Sequence, residues 1–374
     1  MLGLFIILPV FALFAESLPG GGDPATVGFA LGIYGLTQGL LQIPYGWMSD
    51  RFGRKPVLYF GLAVFAVGSF VAALSTTLTG IIIGRALQGA GAVSGVVMAS
   101  VADVTREEVR ARAMAIVGIS IGLAFELSFV IGPLLDKWIG VAGLFAMTGV
   151  LVLMALAVVR FKLPLPTSLS SDRQVRLSDF AIALKHPRLW RLMWGSLALH
   201  AALTALFVVV PHLLRDHGIA REAQGWWYLA ITLVALLLIS PWLRQSQNEQ
   251  LLWRRQPMSI AMFLLALILL SQAHLHFYVL LVALVVFFCA FNLLEISLPT
   301  LVSLASPAGI KGSVLGLYAS LQFLGTFIGG AVGGLLAKNQ GNSAVFWFCG
   351  ALTLIWFIIS INRLNNINNT DSHV

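Results

Sequence analysis

Four ionisable residues lie inside long apolar stretches of the sequence: Arg85, Glu126, His200 and Glu295. Burying a charged side chain among apolar ones costs free energy, so such residues usually carry out chemistry or pair with one another. A carboxyl group removed from water favours its neutral form, and histidine titrates near neutral pH. These residue types therefore predict a site that can take up and release protons.

Arg85 and Gln88 stand three residues apart in the segment GRALQG. On a helix this spacing puts both polar groups on one face. An arginine in the middle of a membrane costs roughly 2.5–3.5 kcal/mol, which favours an interior partner over lipid. Because a guanidinium keeps its proton at physiological pH, we expect an acid beside Arg85 and predict that this acid is Glu126. A structural clamp on a neighbouring helix backbone is the alternative for Arg85.

The two buried acids and the histidine leave several roles open. Glu126, in LAFELSF, either carries the proton or is a structural partner or a neutral hydrogen-bonded acid; we expect it to be the carrier. Glu295, in FNLLEISLP, either takes part in transport or links helices. His200 either relays protons or is only hydrogen-bonded.

A charged decapeptide, GWMSDRFGRK, interrupts a region that is otherwise almost free of charge. It contains one acid, three bases and two glycines: Asp50, Arg51, Arg54, Lys55, Gly46 and Gly53. Basic residues in a short loop anchor it on the cytoplasmic side, whereas acids add little to that bias. Asp50 therefore needs another explanation. Gly46, one helical turn before Asp50, would let a neighbouring helix approach, and Gly53 permits a turn.

The composition identifies the surroundings of these residues as a membrane. Of 374 residues 59% are hydrophobic and 10% charged, with a mean hydropathy of +0.91, whereas soluble domains carry roughly 25% charged residues. The sequence predicts an all-α membrane protein, because apolar runs of this length form spanning helices. The predicted spans are 1–18, 25–47, 56–76, 79–102, 112–136, 141–161, 189–213, 222–243, 257–273, 275–303, 312–337 and 342–362.

Basic residues divide unequally between the two sets of loops. With a cytoplasmic start, 18 of the 23 Lys and Arg fall inside. Four fall outside, namely Lys137, Arg215, Arg221 and Lys338. This bias predicts that both termini are cytoplasmic. Glu16 and Asp23 are then expected to be solvated residues at the outer rim.

The long loop after the sixth span divides the chain into two halves. We predict an N-terminal bundle over 1–161, a cytoplasmic linker with an interfacial helix over 162–188, a C-terminal bundle over 189–362 and a cytoplasmic tail over 363–374. Scattered basic loops do not form a nucleic-acid face. Two cysteines in apolar runs, Cys289 and Cys349, form no metal or disulfide motif, so no metal and no cofactor is expected.

Glycines recur at four-residue spacing in several spans: Gly28/Gly32, Gly35/Gly39, Gly118/Gly122 and Gly325/Gly329/Gly333. Such faces predict close helix contacts. They serve either static packing or the rocking of one bundle against the other.

Three motifs together resemble the major facilitator superfamily. The decapeptide reads G-x-x-x-D-R-x-G-R-K between the second and third spans, and Arg85, Gln88 and Gly89 match an R-x-x-Q-G pattern in the fourth. The fifth span, GISIGLAFELSFVIGP, is similar to the glycine-and-proline helix of the antiporters through Gly118, Gly122, Gly132 and Pro133. The segments LGLFIILPV, GIYGLTQ, FNLLE and SPAGIKG resemble the YajR-like bacterial drug–proton antiporters, with the additional C-terminal soluble domain expected to be absent.

The resemblance implies a fold and an arrangement of residues. The fold would be twelve transmembrane helices in two six-helix bundles. Asp50 would face the start of the eleventh span near Lys311, and Arg54 would pair with Asp103, so that the two halves are latched on the cytoplasmic side. Arg85 would lie near the site of proton coupling. The second-half counterpart of the decapeptide, RQSQNEQLLWRRQP, has lost the G-x-x-x-D pattern.

These observations predict a secondary active transporter that exports small amphipathic molecules in exchange for protons. It would work as a monomer in a bacterial inner membrane, with the lipid bilayer, a small-molecule substrate and protons as its partners. A proton symporter or uniporter for a nutrient is the first alternative. A non-transporting sensor or an intramembrane enzyme is the second, although the sequence shows no nucleophile–base pair, Walker A or HExxH motif, so no enzyme activity is expected.

Overall fold

The computed structural model describes residues 2–162, 177–243, 249–307 and 309–361, and every regular element in these ranges is a helix. The helices are α1 (Leu2–Phe5), α2 (Leu8–Ala15), α3 (Pro24–Phe52), α4 (Arg54–Leu74), α5 (Leu78–Ala90), α6 (Ser94–Val104), α7 (Glu107–Phe161), α8 (Leu177–Lys185), α9 (Pro187–Asp216), α10 (Arg221–Leu243), α11 (Glu249–Ser271), α12 (Phe277–Ala305), α13 (Lys311–Gln340) and α14 (Asn342–Ile361). Most of the predicted linker, 163–176, and the tail, 363–374, lie outside the described residues.

Ten stretches of the described residues are long and apolar enough to cross a membrane: nine of them are single helices, and the tenth is α5 together with α6. The first predicted span is divided into α1 and α2, and the fourth into α5 and α6. The long α7 contains both the fifth and the sixth spans. Its backbone leaves helical geometry at Gly140, where φ is 65° and ψ is 173°, a conformation that glycine adopts without the strain of a side chain. The chain therefore reverses there and crosses again.

Local signals explain where several spans begin and end. Asp23 caps α3 by accepting a hydrogen bond from the Ala25 amide at 3.3 Å, and Pro24 occupies the first turn. Gly53, with φ of 92°, separates α3 from α4. Gly341, with φ of 86°, ends α13.

The helices form two six-helix bundles. In the N-terminal bundle α4 packs against α5 and α7, and in the C-terminal bundle α11 packs against α12 and α14. The short α8 lies between them in sequence and contacts α9 and α13. The most extensive contact of all joins the bundles, because α3 packs along α13.

Glycines make the contact between α3 and α13 possible. A side chain at Gly28 would overlap the carbonyl oxygen of Gly330, and one at Gly32 would overlap the backbone of Phe327. Small residues of this kind let two helix backbones approach closely. The four-residue glycine pattern of the second span thus faces the other bundle.

The two bundles touch at one end of the molecule and separate at the other. We name the end that carries Asp50 and Arg54 the inner end, and the opposite end the outer end, after the predicted orientation. Near the outer end Pro133 of α7 lies against Gly225 of α10. Toward the inner end, added Cβ atoms at four glycines of α3, α7 and α13 would meet no atom within 4 Å: Gly46, Gly118, Gly122 and Gly316. The interface is therefore closed outside and open inside.

Candidate functional site

A polar cluster lies in the C-terminal bundle where α9, α12 and α13 meet. His200 of α9 is 3% exposed. Its Nε2 lies 2.7 Å from the Gln322 amide nitrogen of α13 and 3.5 Å from Glu295 Oε2 of α12. Its Nδ1 lies 3.0 Å from the Ser196 carbonyl oxygen. The structure thus brings together two residues that the sequence analysis treated separately.

The hydrogen bonds of His200 fix its tautomer. A carbonyl oxygen only accepts, so Nδ1 carries the hydrogen that it donates to Ser196. In the neutral imidazole, Nε2 then accepts a hydrogen bond from the Gln322 amide. In the protonated imidazole, Nε2 becomes a donor, and the carboxylate of Glu295 is within reach as its partner. The cluster therefore places a hydrogen-bond donor, Gln322, and an acceptor, Glu295, beside Nε2.

Gln322 was missed by the sequence analysis. Its signal was an amide in an otherwise apolar, glycine-rich part of the eleventh span, LQFLGTFIGG. Its partner could not be predicted from the sequence, because His200 lies 122 positions away along the chain.

Glu126 of α7 has no comparable partner. Both carboxylate oxygens are buried, and neither makes a hydrogen bond within the described residues. The Asn292 amide of α12 lies close enough to interact electrostatically with the carboxylate, yet its Nδ2 also lacks a hydrogen bond. Buried polar groups are normally hydrogen-bonded, so this carboxyl group and amide are the polar groups available to a molecule bound between α7 and α12.

Arg85 lies elsewhere in the N-terminal bundle, and the predicted ion pair with Glu126 is wrong. The guanidinium is fully buried, with its Cζ 4.8 Å from the centroid of the Tyr34 ring. It donates to the Leu31 carbonyl oxygen at 3.4 Å and to Gln88 Oε1 at 3.3 Å. These neighbours belong to α3 and α5, whereas Glu126 faces α12. The sequence does not determine which neighbouring helix the Glu126 face of α7 packs against, which is why the pairing was mispredicted.

Aromatic rings close the site toward the outer end. Phe125, next to Glu126, stacks on Phe291 of α12 with centroids 5.3 Å apart. One turn further out, Phe129 stacks on Phe207 of α9 at 5.0 Å and meets the Phe288 edge at 5.7 Å. Each contact joins the two bundles, so the layer separates Glu126 from the outer end.

The glycine-and-proline pattern of the fifth span divides between the two sides of this layer. Gly118, Gly122 and Glu126 are spaced by four residues and share one face of α7, and the space beside both glycines is open. Gly132 instead packs on the backbone of Ile6, and Pro133 on α10. The space beside Gly118 and Gly122, on the face of α7 that carries Glu126, is therefore open.

Charged residues at the inner end pair within one bundle. Arg54 donates from Nε to Asp103 Oδ2 at 2.8 Å, and its Nη1 binds Asp50. The expected contact between Asp50 and the start of α13 is not formed. At Ser313 of α13 the hydrogen-bond partner is Asp179 of α8, at 3.3 Å. Asp50 is instead paired with Arg54 of its own bundle.

The remaining residues of the decapeptide also lie at the inner end of the N-terminal bundle. Arg51 is exposed and lies over the Trp47 ring at 5.4 Å. Lys55 is partly exposed in the first turn of α4. Beside Gly46 there is open space, and Gly53 provides the turn between α3 and α4.

In the described part of the chain, three acids form ion pairs that join the bundles at the outer end. Glu16 accepts hydrogen bonds from Arg215 and lies 3.0 Å from His212 Nε2. Asp136 accepts from Arg221 Nε and Nη2, both at 2.8 Å. Asp23 lies 3.2 Å from Lys338 Nζ. In every pair the acid belongs to the N-terminal bundle and the base to the C-terminal bundle.

The expectation that Glu16 and Asp23 are merely solvated rim residues is therefore wrong. Partial burial of Glu16 opposes its ionisation, but the hydrogen bonds and charges of Arg215 and His212 outweigh that effect and lower its pKa. The pKa of Asp23 is lowered too: a small burial effect is outweighed by hydrogen bonds from Thr26, Lys338 and the Ala25 amide. Both acids are thus held in their charged form.

Metal ligation has no support among the described residues, because no group of three or more His, Cys, Asp or Glu side chains could hold an ion there. Cys289 and Cys349 are buried free thiols.

Comparison with known proteins identifies similar chains. The family model of the Major Facilitator Superfamily matches residues 1–330 and 200–366. The inner membrane transport protein YajR of Escherichia coli K12 is 39% identical over 362 residues, which cover 96% of this chain and 80% of YajR. The multidrug resistance protein MdtH of Aeromonas hydrophila is 26% identical over 387 residues, covering 97% and 93% of the two chains.

A solved structure has the same fold. The human organic anion transporter MFSD10 superposes with a TM-score of 0.72 at 19% identity, covering 96% of this chain and 95% of that one.

Proposed function

Because the chain belongs to the Major Facilitator Superfamily of membrane transporters, we propose that it exports small amphipathic molecules from the bacterial cytoplasm in exchange for protons. It moves them by alternating access, in which the two bundles rock about a central site. The orientation follows the basic-residue bias, with both termini inside, and one chain forms one complete pathway.

The observation that carries this proposal is the environment of Glu126. Its carboxylate oxygens are buried without a hydrogen-bond partner, its neighbour Asn292 belongs to the other bundle, and the space beside Gly118 and Gly122 on the same face of α7 is open. A carboxyl group in such a place is neutral when nothing binds it and ionised when a partner compensates its charge. A change in protonation can therefore accompany each crossing.

The transport cycle uses the two ends of the interface in turn. In the conformation described here the outer ion pairs are formed and the aromatic layer is packed. Substrate therefore reaches Glu126 from the inner end. In the opposite conformation these contacts break, and Asp50 is free to reach the start of α13 and latch the inner end. Helix-end charges of this kind contribute about 0.3–2 kcal/mol, enough to shift a balanced population several-fold.

His200 and Glu295 give the C-terminal bundle a second titratable pair beside the same interface. Glu126 is the proton carrier in this proposal, and His200 with Glu295 adjusts the charge that the substrate meets. Arg85, held by Tyr34, Leu31 and Gln88, is a fixed positive charge inside the N-terminal bundle.

Reconstituted vesicles test the proposal. With an imposed pH gradient, the parent protein should concentrate a substrate against its gradient, with proton movement in the opposite direction. Glu126→Gln should bind substrate and exchange it downhill but lose uphill transport, because a glutamine cannot carry the proton. Uphill transport by Glu126→Gln at the parent rate would refute the assignment, and proton movement in the same direction as the substrate would indicate a symporter.

A further inference from the structure

A cavity of about 480 Å³ lies at the outer end of the molecule, between the two bundles. The N-terminal bundle contributes Phe14 of α2 and the part of α7 around its reversal, and the C-terminal bundle contributes the first turn of α10. Cavities that hold small ligands measure roughly 300–1,000 Å³. Four residues of the lining are charged, two from each bundle: Asp136, Lys137, Arg221 and Glu222.

Two of these charges are paired with each other and two are open to a ligand. Asp136 accepts two hydrogen bonds from Arg221, both at 2.8 Å. Lys137 and Glu222 are exposed, and neither side chain forms an ion pair or a hydrogen bond within the described residues. The cavity therefore presents one free positive charge from α7 and one free negative charge from α10.

This charge pattern is complementary to a zwitterion. An anion that pairs with Lys137 meets the carboxylate of Glu222 on the other wall. That carboxylate lies close enough to Asp136 for the two acids to repel each other, so it favours a positive partner. A cation at Glu222 in turn faces the ammonium of Lys137. A molecule that carries both charges satisfies both walls at once.

An exposed apolar stripe on α10 leads away from the cavity. Glu222 is followed at helical spacing by Trp226, Leu233 and Leu237, which are all exposed and share one face of the helix. From Trp226 to Leu237 the stripe is about 16 Å long, about half of a hydrocarbon core that is roughly 30 Å thick. Trp138, next to Lys137, is 82% exposed, and tryptophan is typical of the membrane–water interface. The two free charges therefore lie at the level of the lipid head groups.

We propose that this cavity binds the head group of a phospholipid that carries a primary ammonium, as phosphatidylethanolamine does. Its phosphate lies at Lys137, its ammonium at Glu222, and one acyl chain follows Trp226 and Leu233 along α10. The site concerns a lipid and not the transported molecule, so the inference does not depend on proton exchange.

The lining favours a primary ammonium over other head groups. A carboxylate accepts hydrogen bonds, and a primary ammonium donates three, whereas the trimethylammonium of choline donates none. Phe14, the aromatic residue of the lining, already has the Arg221 guanidinium 6.0 Å from its ring centroid, so it is occupied by a cation of the protein. The head group of an anionic phospholipid has no positive charge for Glu222.

Three phospholipids with identical acyl chains test the inference: phosphatidylethanolamine, phosphatidylcholine and the anionic phosphatidylglycerol. Native mass spectrometry of the purified full chain in detergent measures the affinity of the first lipid that binds. Phosphatidylethanolamine should bind about fivefold more tightly than the other two, the upper end of what one exposed charged contact contributes. Soluble glycerophosphoethanolamine at the same concentration should not displace it, because it lacks the acyl chains.

Variants locate the lipid in the cavity. Glu222→Gln should remove the preference for phosphatidylethanolamine over phosphatidylglycerol, and Lys137→Gln should weaken the binding of both, because both carry the phosphate. Asp216→Asn removes an exposed acid at the outer end of α9 that does not line the cavity. It is the matched control for Glu222→Gln and should keep the preference of the parent protein. The comparison of three lipids on the parent needs no variant, so it decides the question even if a variant fails to fold.

Four results would overturn the inference. Two concern the parent protein: equal affinity for the three lipids, or a preference for phosphatidylglycerol. The third is an unchanged preference in folded Glu222→Gln, which would place the selective site elsewhere on the molecule. The fourth is displacement by glycerophosphoethanolamine, which would show that the cavity takes a soluble zwitterion and not a lipid. Because binding is measured without transport, none of these results bears on the proposed exchange of substrate for protons.

Discussion

At the scale of single residues, the role of each buried acid depends on its partner. Glu295 has His200 within 3.5 Å, and His200 has Gln322 and Ser196. The two oxygens of Glu126 have no hydrogen-bond partner in the described part of the chain. A buried carboxyl group with no basic neighbour is the one whose charge depends most on what binds to it. This difference is why we assign the proton to Glu126.

Glu295→Gln should therefore be milder than Glu126→Gln. We expect gradient-driven transport to continue at a reduced rate, because Glu126 still carries the proton. His200 keeps its bonds to Gln322 and Ser196 in this variant. Transport kinetics in vesicles at several pH values provide the measurement. Complete loss of uphill transport would indicate that the proton carrier is Glu295 of α12 and not Glu126 of α7.

At the scale of elements, the contact of α3 with α13 determines how the bundles meet. Its glycines place the two helix backbones directly against each other. When a glycine is replaced by a larger residue, the new side chain therefore meets backbone, which cannot move aside as a flexible side chain could. The same helices diverge toward Gly46 and Gly316, where the space is open. One pair of helices thus serves both as the tight contact and as the wall of the inner opening.

Gly330→Ala should destabilise the protein, because the added methyl group overlaps the backbone of Gly28 and Gly32. Overpacking of this kind costs about 1–3 kcal/mol. Gly316→Ala, on the same helix, is the matched control, and its methyl group meets open space. Thermal unfolding in detergent should show a lower midpoint for Gly330→Ala alone. Equal midpoints for the two variants would contradict the close contact.

At the scale of the whole molecule, charge is separated between the bundles at the outer end. Three acids of the N-terminal bundle face three bases of the C-terminal bundle. Three of the four basic residues predicted to lie outside, Arg215, Arg221 and Lys338, take part. Exposed ion pairs contribute ~0.2–1 kcal/mol each. Each one therefore raises the population ratio of the closed to the open outer end by roughly 1.4- to 5-fold.

Arg215→Glu should open the outer end, and the double variant Glu16→Arg/Arg215→Glu should close it again. Repulsion replaces attraction in the single variant, and the swap restores a pair of opposite charges. Lys137→Glu is the control, since no ion pair of Lys137 is found in the structure. Distances between spin labels on the outer ends of α3 and α9 report the result. A double variant as open as the single one would show that the pair does not hold the interface.

The ion pairs of Glu16 and Asp23 should also resist moderate acid. The pKa values of Glu16 and Asp23 are lowered from ordinary values of 4.5 and 3.8, so their contribution to closure is complete above those values. It disappears only as the pH falls through the lowered values. The distance between labels at these two pairs should therefore be constant from pH 8 to pH 5 and lengthen only when the pH falls below the ordinary values. Opening of the outer end already at pH 6 would assign the closure to other groups.

Topology is tested on the same scale. In a background without Cys289 and Cys349, a cysteine at position 137 should react with an impermeant reagent in intact cells, and one at position 55 should not. The expected result follows from the exclusion of basic loops from translocation. Labelling at position 55 but not at 137 would show that the chain has the opposite orientation, and the proposed direction of transport would then be reversed.

The sequence by itself determined the fold class and the positions of most spans. Apolar runs of membrane-crossing length permit only helices, and their order and the charged loops between them do not depend on distant contacts. The family motifs added the arrangement of two bundles and the Arg54–Asp103 pair. The same reasoning found every buried ionisable residue of the site, because a charge in an apolar run stands out without any knowledge of its neighbours.

Only the tertiary structure decided which of these residues meet. It separated Arg85 from Glu126, joined His200 to Glu295 and Gln322, and turned Glu16 and Asp23 from rim residues into partners of the opposite bundle. Each of these contacts links positions from different spans, and helical periodicity does not fix the direction in which a span faces. Contacts between bundles also depend on the conformation of the transporter, since the ends of the interface open and close while the sequence stays the same.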